Sequence, residues 1–278
     1  MVDKIGFWVP ALVALTAAAC AVSPTGRRQL SLVSEDAAIG ASKEAYVSQL
    51  SELRQAGKIV TDTRVTRRID KITERLVAQA IVKRPDTADW EWSVAVIDDP
   101  EMINAWCMAG GRMAVYTGLL NKLDPTDDEL AQVLGHEISH ALANHTAERM
   151  SVALATSAGV ALAGVVADDH PQAAQNAAAI AAQLAIQLPN SRSAESEADE
   201  IGLELAAKAG YNPNAALSLW QKMEKASGSG PPQFLSTHPS PANRQEKLTA
   251  LAPRMMAYYN QARGGAPTHP VSNAVASR

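Results

Sequence analysis

The stretch Thr126-Asp127-Asp128-Glu129-Leu130-Ala131-Gln132-Val133-Leu134-Gly135-His136-Glu137-Ile138-Ser139-His140-Ala141-Leu142 decides how this chain is read. Asp124-Pro125 precedes it, and Thr126 with Glu129 has the spacing of a capping box, which starts a helix by satisfying its free backbone N–H groups. Leu130, Val133, Leu134, Ile138, Ala141 and Leu142 then recur at helical spacing. Within that apolar stripe stand His136, Glu137 and His140, an H-E-x-x-H pattern. Two imidazoles four residues apart project from one helix face and can meet one zinc ion. Glu137 beside them can take the proton of an attacking water as a general base. Burying such groups without a task is costly, so zinc catalysis outweighs the competing reading of surface histidines on an ordinary helix.

A catalytic zinc takes three protein ligands and keeps one position open. Ala143 and Thr146 stand where a metzincin would carry glycine and histidine, so that arrangement is absent. The best third ligand is Glu195, in Ser193-Ala194-Glu195-Ser196-Glu197-Ala198-Asp199-Glu200 at the start of a later helix. Asp199 is one turn on and can accept the free ring N–H of a ligating histidine. Glu197 projects about 200° around from Glu195 and reads as solvated. Without the two histidines, the segment would read as an acidic first turn favoured by the helix dipole. His145, five residues past His140, projects well around the helix and reads as structural or surface. His170 and His269 receive no role.

Working outward, Val65, Ile69, Ile72, Leu76 and Ile81 mark an amphipathic helix, and helical patterning begins near Glu35. Trp90–Ile97 and Arg112–Thr117 read as two short strands of a small sheet. Met150–Val166 is an apolar, alanine-rich helix, marginal in length for a membrane span and better read as buried. Ala173–Leu188 and Pro241–Gln261 read as further helices, and Ser227–Pro232 as a loop. At the amino terminus, the apolar run Ile5–Ala19 ends in Leu15-Thr16-Ala17-Ala18-Ala19-Cys20, which resembles a lipoprotein signal cleaved before an acylated Cys20. An ordinary secretory signal and a retained anchor are the alternatives. Ala21 lacks the acidic character associated with inner-membrane retention, which favours the outer membrane. Cys107 is then left alone and reads as a packed small hydrophobe.

Composition agrees with an enzyme of this kind. Hydrophobic residues make up 47% and charged residues 19%, enough apolar material for a core. The net charge of −4 gives no support to a nucleic-acid partner. Aromatics at 4% speak against a large carbohydrate-stacking site. Nothing in the sequence sets an oligomeric state.

Taken together, His136, Glu137, His140 and the Glu195-x-x-x-Asp199 motif resemble the zinc metallopeptidase family of the CAAX prenyl proteases and HtpX, of gluzincin type. The likeness is greatest to its periplasmic and outer-membrane lipoprotein branch, typified by BepA and LoiP, and covers most of the chain after Cys20. Ser191-Arg192 also stands where the family often has a serine-arginine pair. Asn104-Ala105 and Gly110–Leu120 are similar to the family's edge strand above the metal. The resemblance therefore makes Asn104, Ala105, Gly111, Met113 and Val115 substrate-binding residues that pair with a peptide backbone. It also implies that His238, in Ser236-Thr237-His238-Pro239, sits on a loop able to fill the open metal position, and that Arg244 contributes to the catalytic site. No repeated helical pairs follow the last helix, and no set of membrane spans points to prenylated substrates.

The expectation is an α+β, predominantly α-helical zincin-like metalloprotease domain, with a small sheet and an exposed edge strand beside the active-site helix. Residues 1–19 are a leader, 20–34 a tether, 35–263 the catalytic domain and 264–278 a flexible tail. One Zn²⁺ per chain serves an endopeptidase of unfolded or misassembled envelope proteins, lipid-anchored at the outer membrane and facing the periplasm. An assembly factor or chaperone with regulated or minor proteolysis is the alternative.

Overall fold

The capping box forms as the sequence predicts. In the computed structural model, Thr126 Oγ1 accepts the Glu129 N–H at 3.2 Å and Glu129 Oε2 accepts the Thr126 N–H at 2.9 Å. The helix runs Asp127–Leu142, and every residue from Glu129 onward is buried. Neighbours surround it: the Thr63–Lys83, Arg192–Lys208 and Ala215–Lys225 helices and one strand. Leu130, Leu134, Ile138 and Leu142 are at most 1% exposed, and each such burial contributes about 1.5–3 kcal/mol.

The structure describes residues 20–165, 190–226, 233–239, 243–263 and 265–273. The expected leader, the Ala173–Leu188 helix and the Ser227–Pro232 loop lie outside them. In chain order there are strands β1 (Cys20–Val22) and β2 (Arg28–Leu30), helices Glu35–Gln55 and Thr63–Lys83, and a 3₁₀ turn Pro85–Asp89. Strands β3 (Ser93–Ile97), β4 (Ala105–Met108) and β5 (Arg112–Tyr116) follow. Helices Thr117–Leu123, Asp127–Leu142, His145–Val165, Arg192–Lys208, Ala215–Lys225, Gln233–Thr237 and Arg244–Ala262 precede strand β6, Ser272–Asn273. This is the α+β, mainly helical class expected. Among the described residues, no helix is long and apolar enough to cross a membrane.

Contacts divide the chain into two compact units. Among the described residues, those between 39 and 145 and from 190 onward form one unit, and 20–38 with 146–165 form the other. In the smaller unit the expected tether is folded. β1 and β2 pair antiparallel around Gly26, whose φ of 88° suits glycine. Arg27 grips both Glu148 carboxylate oxygens at 2.7 and 2.6 Å, and Ser151 Oγ accepts the Leu32 and Val33 N–H groups. Paired backbone and a two-pronged ion pair make this segment a hairpin instead of a loose connection.

In the larger unit the sheet order is β4-β5-β3-β6, and this order revises which strand is free. β5 runs antiparallel to β4 and parallel to β3, so both its edges are occupied. Met113 and Val115 are fully buried in it. The expected edge role therefore passes to β4, next to the Asp127–Leu142 helix. Tyr116 N–H bonds Asn104 O, and that phase turns the Ala105 and Cys107 backbone groups toward the outer edge. Gly110 and Gly111, at φ 83° and 81°, make the β4–β5 turn; a Cβ on Gly111 would sit 2.5 Å from the Trp92 ring.

The tail also differs from expectation. β6 adds to the sheet beside β3, with Ser272 N–H on Trp92 O and His269 N–H on Glu74 O. A strand's unpaired N–H and C=O groups are an open invitation to pairing, and here the chain's own end takes them.

Candidate metal centre

Two glycines set the geometry of the centre. The Asp127–Leu142 and Arg192–Lys208 helices cross where Gly135 meets Gly202. A Cβ on Gly202 would lie 2.7 Å from His136 N, and one on Gly135 would lie 2.9 Å from Gly202 O. This near-contact of backbones carries Glu195, held in the first turn by the Ser191 cap, up to the two histidines. The far end of that helix closes on Gly210, at φ 85°, with Tyr211 N–H on Ala206 O.

His136 Nε2 lies 3.3 Å from Glu195 Oε2, and His140 Nε2 lies 3.4 Å from Glu195 Oε1. The two Nε2 atoms are 3.1 Å apart. His238 arrives from the end of the short Gln233–Thr237 helix, its Nδ1 3.1 Å from Glu195 Oε1 and 3.4 Å from His136 Nε2. That helix is docked by Phe234, whose N–H bonds Ile103 O just before β4 and whose buried ring stacks on His238. Ligand atoms from His136, His140, Glu195 and His238 all fall within 4.8 Å of one another, and all four residues are buried.

Several ring nitrogens facing one carboxylate at 3–3.5 Å, away from water, is the donor set of a zinc site. The residues present fit one zinc per chain. Burial opposes charge throughout, yet the surrounding imidazoles hold the Glu195 carboxyl far below its usual range. Burial also acts to lower His136, but the adjacent Asp199 and Glu195 carboxylates prevail and push it up to about 10. Burial drives His140 well below the ordinary imidazole range.

Asp199 Oδ1 lies 3.0 Å from His136 Nδ1, off the line of a straight hydrogen bond. Arg244 ties the two carboxylates together: Nε donates to Asp199 Oδ2 at 2.7 Å and a terminal nitrogen donates to Glu195 Oε2 at 2.8 Å. Its guanidinium carbon lies 3.9 Å from the centre of the Trp220 ring. Arg244 therefore faces the back of the ligand set, toward Glu195 and Asp199. Glu137 is buried, with Oε1 3.5 Å from His238 Nε2.

The structure brings Glu137, His136, His140, Glu195, Asp199, His238 and Arg244 together. Asn104 and Ala105 lie at the start of the free strand, while Gly111, Met113 and Val115 stay in or beside the covered one. Glu197 corrects the sequence reading: it is 4% exposed and meets the buried His145 at 3.2 Å instead of facing solvent. His145 in turn lies 2.7 Å from His140 Nδ1. Periodicity failed there because the helix stops at Leu142. Asn144, at φ 55°, turns the chain and a new helix starts at His145, returning its ring to His140. An asparagine after the last periodic residue was the available signal.

Comparison with known proteins now bears on this centre. The family model described as "Peptidase family M48" matches residues 63–252, more than half of the chain. The chain belongs to peptidase family M48. This M48 peptidase is 32% identical over 231 residues to the mitochondrial metalloendopeptidase OMA1 of Schizosaccharomyces pombe, covering 82% of the chain and 65% of the relative. It is 39% identical over 163 residues to OMA1 of Arabidopsis thaliana, covering 58% and 31% respectively. Against the beta-barrel assembly-enhancing protease of Yersinia pestis it is 31% identical over 209 residues, covering 72% and 40%. The chain thus spans about a third to two thirds of the length of these relatives. Family membership and the donor set agree on a metal centre that fits one zinc.

Proposed function

We propose that this M48 peptidase is an endopeptidase that cleaves unfolded or misassembled proteins of the cell envelope, held by lipid on Cys20 at the periplasmic face of the outer membrane. The observation that carries the substrate class is the free edge of β4 beside the helix bearing Glu137. A peptide laid along it would gain main-chain hydrogen bonds whatever its side chains, once the Asn104 carboxamide that accepts the buried Ala105 N–H at 3.0 Å gives way, but only when the peptide is extended and unpaired. Folded proteins offer few such segments, at sheet edges; unfolded ones offer many. The name of the Yersinia relative, and the Ala17-Ala18-Ala19-Cys20 sequence, support the envelope setting.

Zinc, when bound, supplies a Lewis acid for the scissile carbonyl and lowers the pKa of the attacking water. His136, His140 and Glu195 would hold it. Glu137 takes the water's proton during attack and returns one to the leaving amine. Arg244 and Asp199 keep Glu195 and His136 oriented through their own bonds.

A second reading, an assembly factor with regulated proteolysis, is favoured by His238. An imidazole 3.1 Å from Glu195 Oε1 lies where it competes with water and the substrate carbonyl, which restrains the resting enzyme. The test uses an outer-membrane β-barrel protein, once unfolded and once folded in lipid vesicles. Internal fragments from the unfolded form alone are expected; equal cleavage of both, or trimming only from the ends, would contradict the proposal.

A further inference from the structure

The two histidines of the H-E-x-x-H pattern are backed in different ways. His136 Nδ1 faces a carboxylate, Asp199, whereas His140 Nδ1 lies 2.7 Å from Nδ1 of a second imidazole, His145. His145 Nε2 in turn lies 3.2 Å from Glu197 Oε2. His140, His145 and Glu197 are each at most 4% exposed, so this line of contacts is shielded from bulk water.

Proton bookkeeping along that line has one solution when metal is bound. His140 Nε2 faces the ligand cluster and must offer its lone pair, so its proton sits on Nδ1. At 2.7 Å the facing His145 Nδ1 must accept that proton's hydrogen bond, because two N–H groups would clash there. The proton of His145 then lies on Nε2, where the Glu197 carboxylate accepts it. Each assignment forces the next.

We infer that His145 and Glu197 form a proton-ordered relay that fixes the tautomer and orientation of His140 for metal binding. His145 is a positioning residue, and Glu197 selects the tautomer that lets it accept. The neutral ring also acts as a spacer. Glu137, Glu195 and Asp199 already place three carboxylates at the centre, and interposing an imidazole keeps a fourth negative charge one ring farther away.

The inference rests on zinc at the four-residue cluster and is independent of which peptides are cleaved. Nitrogen-15 NMR of histidine-labelled, zinc-loaded full-length protein reads the tautomers without any substitution. A proton on Nδ1 of His140 and on Nε2 of His145 is expected; His145 protonated on Nδ1, or on both nitrogens, would overturn the relay. Zinc affinity is then measured by chelator competition on variants whose circular dichroism matches the wild type. His145→Phe, which cannot accept, should bind zinc about 10–100-fold more weakly, whereas His145→Gln, whose amide oxygen can accept, should recover most of the loss. Glu197→Leu should weaken binding on its own and cost little more once His145→Phe is present, as expected for groups acting in series. Wild-type affinity in His145→Phe would sink the relay alone. Failure of the wild type to bind one zinc would sink the metal site and the relay with it.

Discussion

Gly202→Ala adds one methyl group at the crossing that assembles the centre, and its effect follows from the distances. The new Cβ would sit 2.7 Å from His136 N and 2.9 Å from both Gly135 C and His136 Cα. Reaching an ordinary contact of 3.4 Å asks the two helices to separate by about 0.7 Å. All three atoms are backbone, so no side chain can turn aside. Overpacking of this kind costs about 1–3 kcal/mol, against a gain of about 1 kcal/mol from the better helix propensity of alanine. The larger consequence is chemical. Glu195 lies two turns before Gly202 and moves with it, whereas zinc–ligand distances tolerate only about 0.2 Å. Zinc affinity should fall by at least about 10-fold, the low end of what disturbing a ligand's support costs. Chelator competition and metal-free thermal melts provide the assay, with Gly40→Ala as the control. Gly40 is helical with nothing within 4 Å of its added Cβ, so the same change there should stabilise by about 0.5–1 kcal/mol. If Gly202→Ala proved as benign as Gly40→Ala, the account of how the helices present their ligands would be wrong.

Other outcomes follow from single residues. His238→Ala should raise basal hydrolysis of an unfolded substrate, and X-ray absorption should show one fewer imidazole on zinc; an unchanged shell refutes the restraint. Asp199→Ala should lower zinc affinity about 10–100-fold, measured by the same chelator titration. Burial acts to raise the Glu129 pKa, but bonds from Lys222, Ser218 and the Thr126 N–H hold it below its ordinary 4.5. Its stabilising contribution is therefore complete above about pH 4.5 and lost as pH falls through the lower folded value. Glu129→Gln should flatten the acid limb of a urea-midpoint profile, and an unaltered limb counts against this role. Labelled palmitate should enter the wild-type chain in a Gram-negative host and not Cys20→Ala; equal labelling ends the lipid anchor.

What the sequence disclosed was local. The capping box, the apolar stripe and the histidine spacing all lie within one helix, so neighbouring residues suffice to read them. Glu195 was legible through chemistry, because a catalytic zinc demands a third ligand and few segments offer one. Glu197 was not, since its burial depends on His145 returning past the Asn144 turn, which no periodicity describes. The free strand was misread for the same reason. Whether β5 or β4 is the edge depends on β3 pairing alongside β5, a contact between residues distant in the chain. β6 carried no local signal at all: two polar residues become a strand only because β3 has an edge to fill.

The central claim is that this buried cluster hydrolyses peptide bonds with Glu137 as the base. The most direct test compares wild type and Glu137→Gln, each shown by elemental analysis to hold one zinc per chain, on unfolded casein. With zinc content equal, the variant should lose about 10²–10⁴-fold in turnover, the contribution of a positioned general base. Equal turnover at equal zinc would contradict the account.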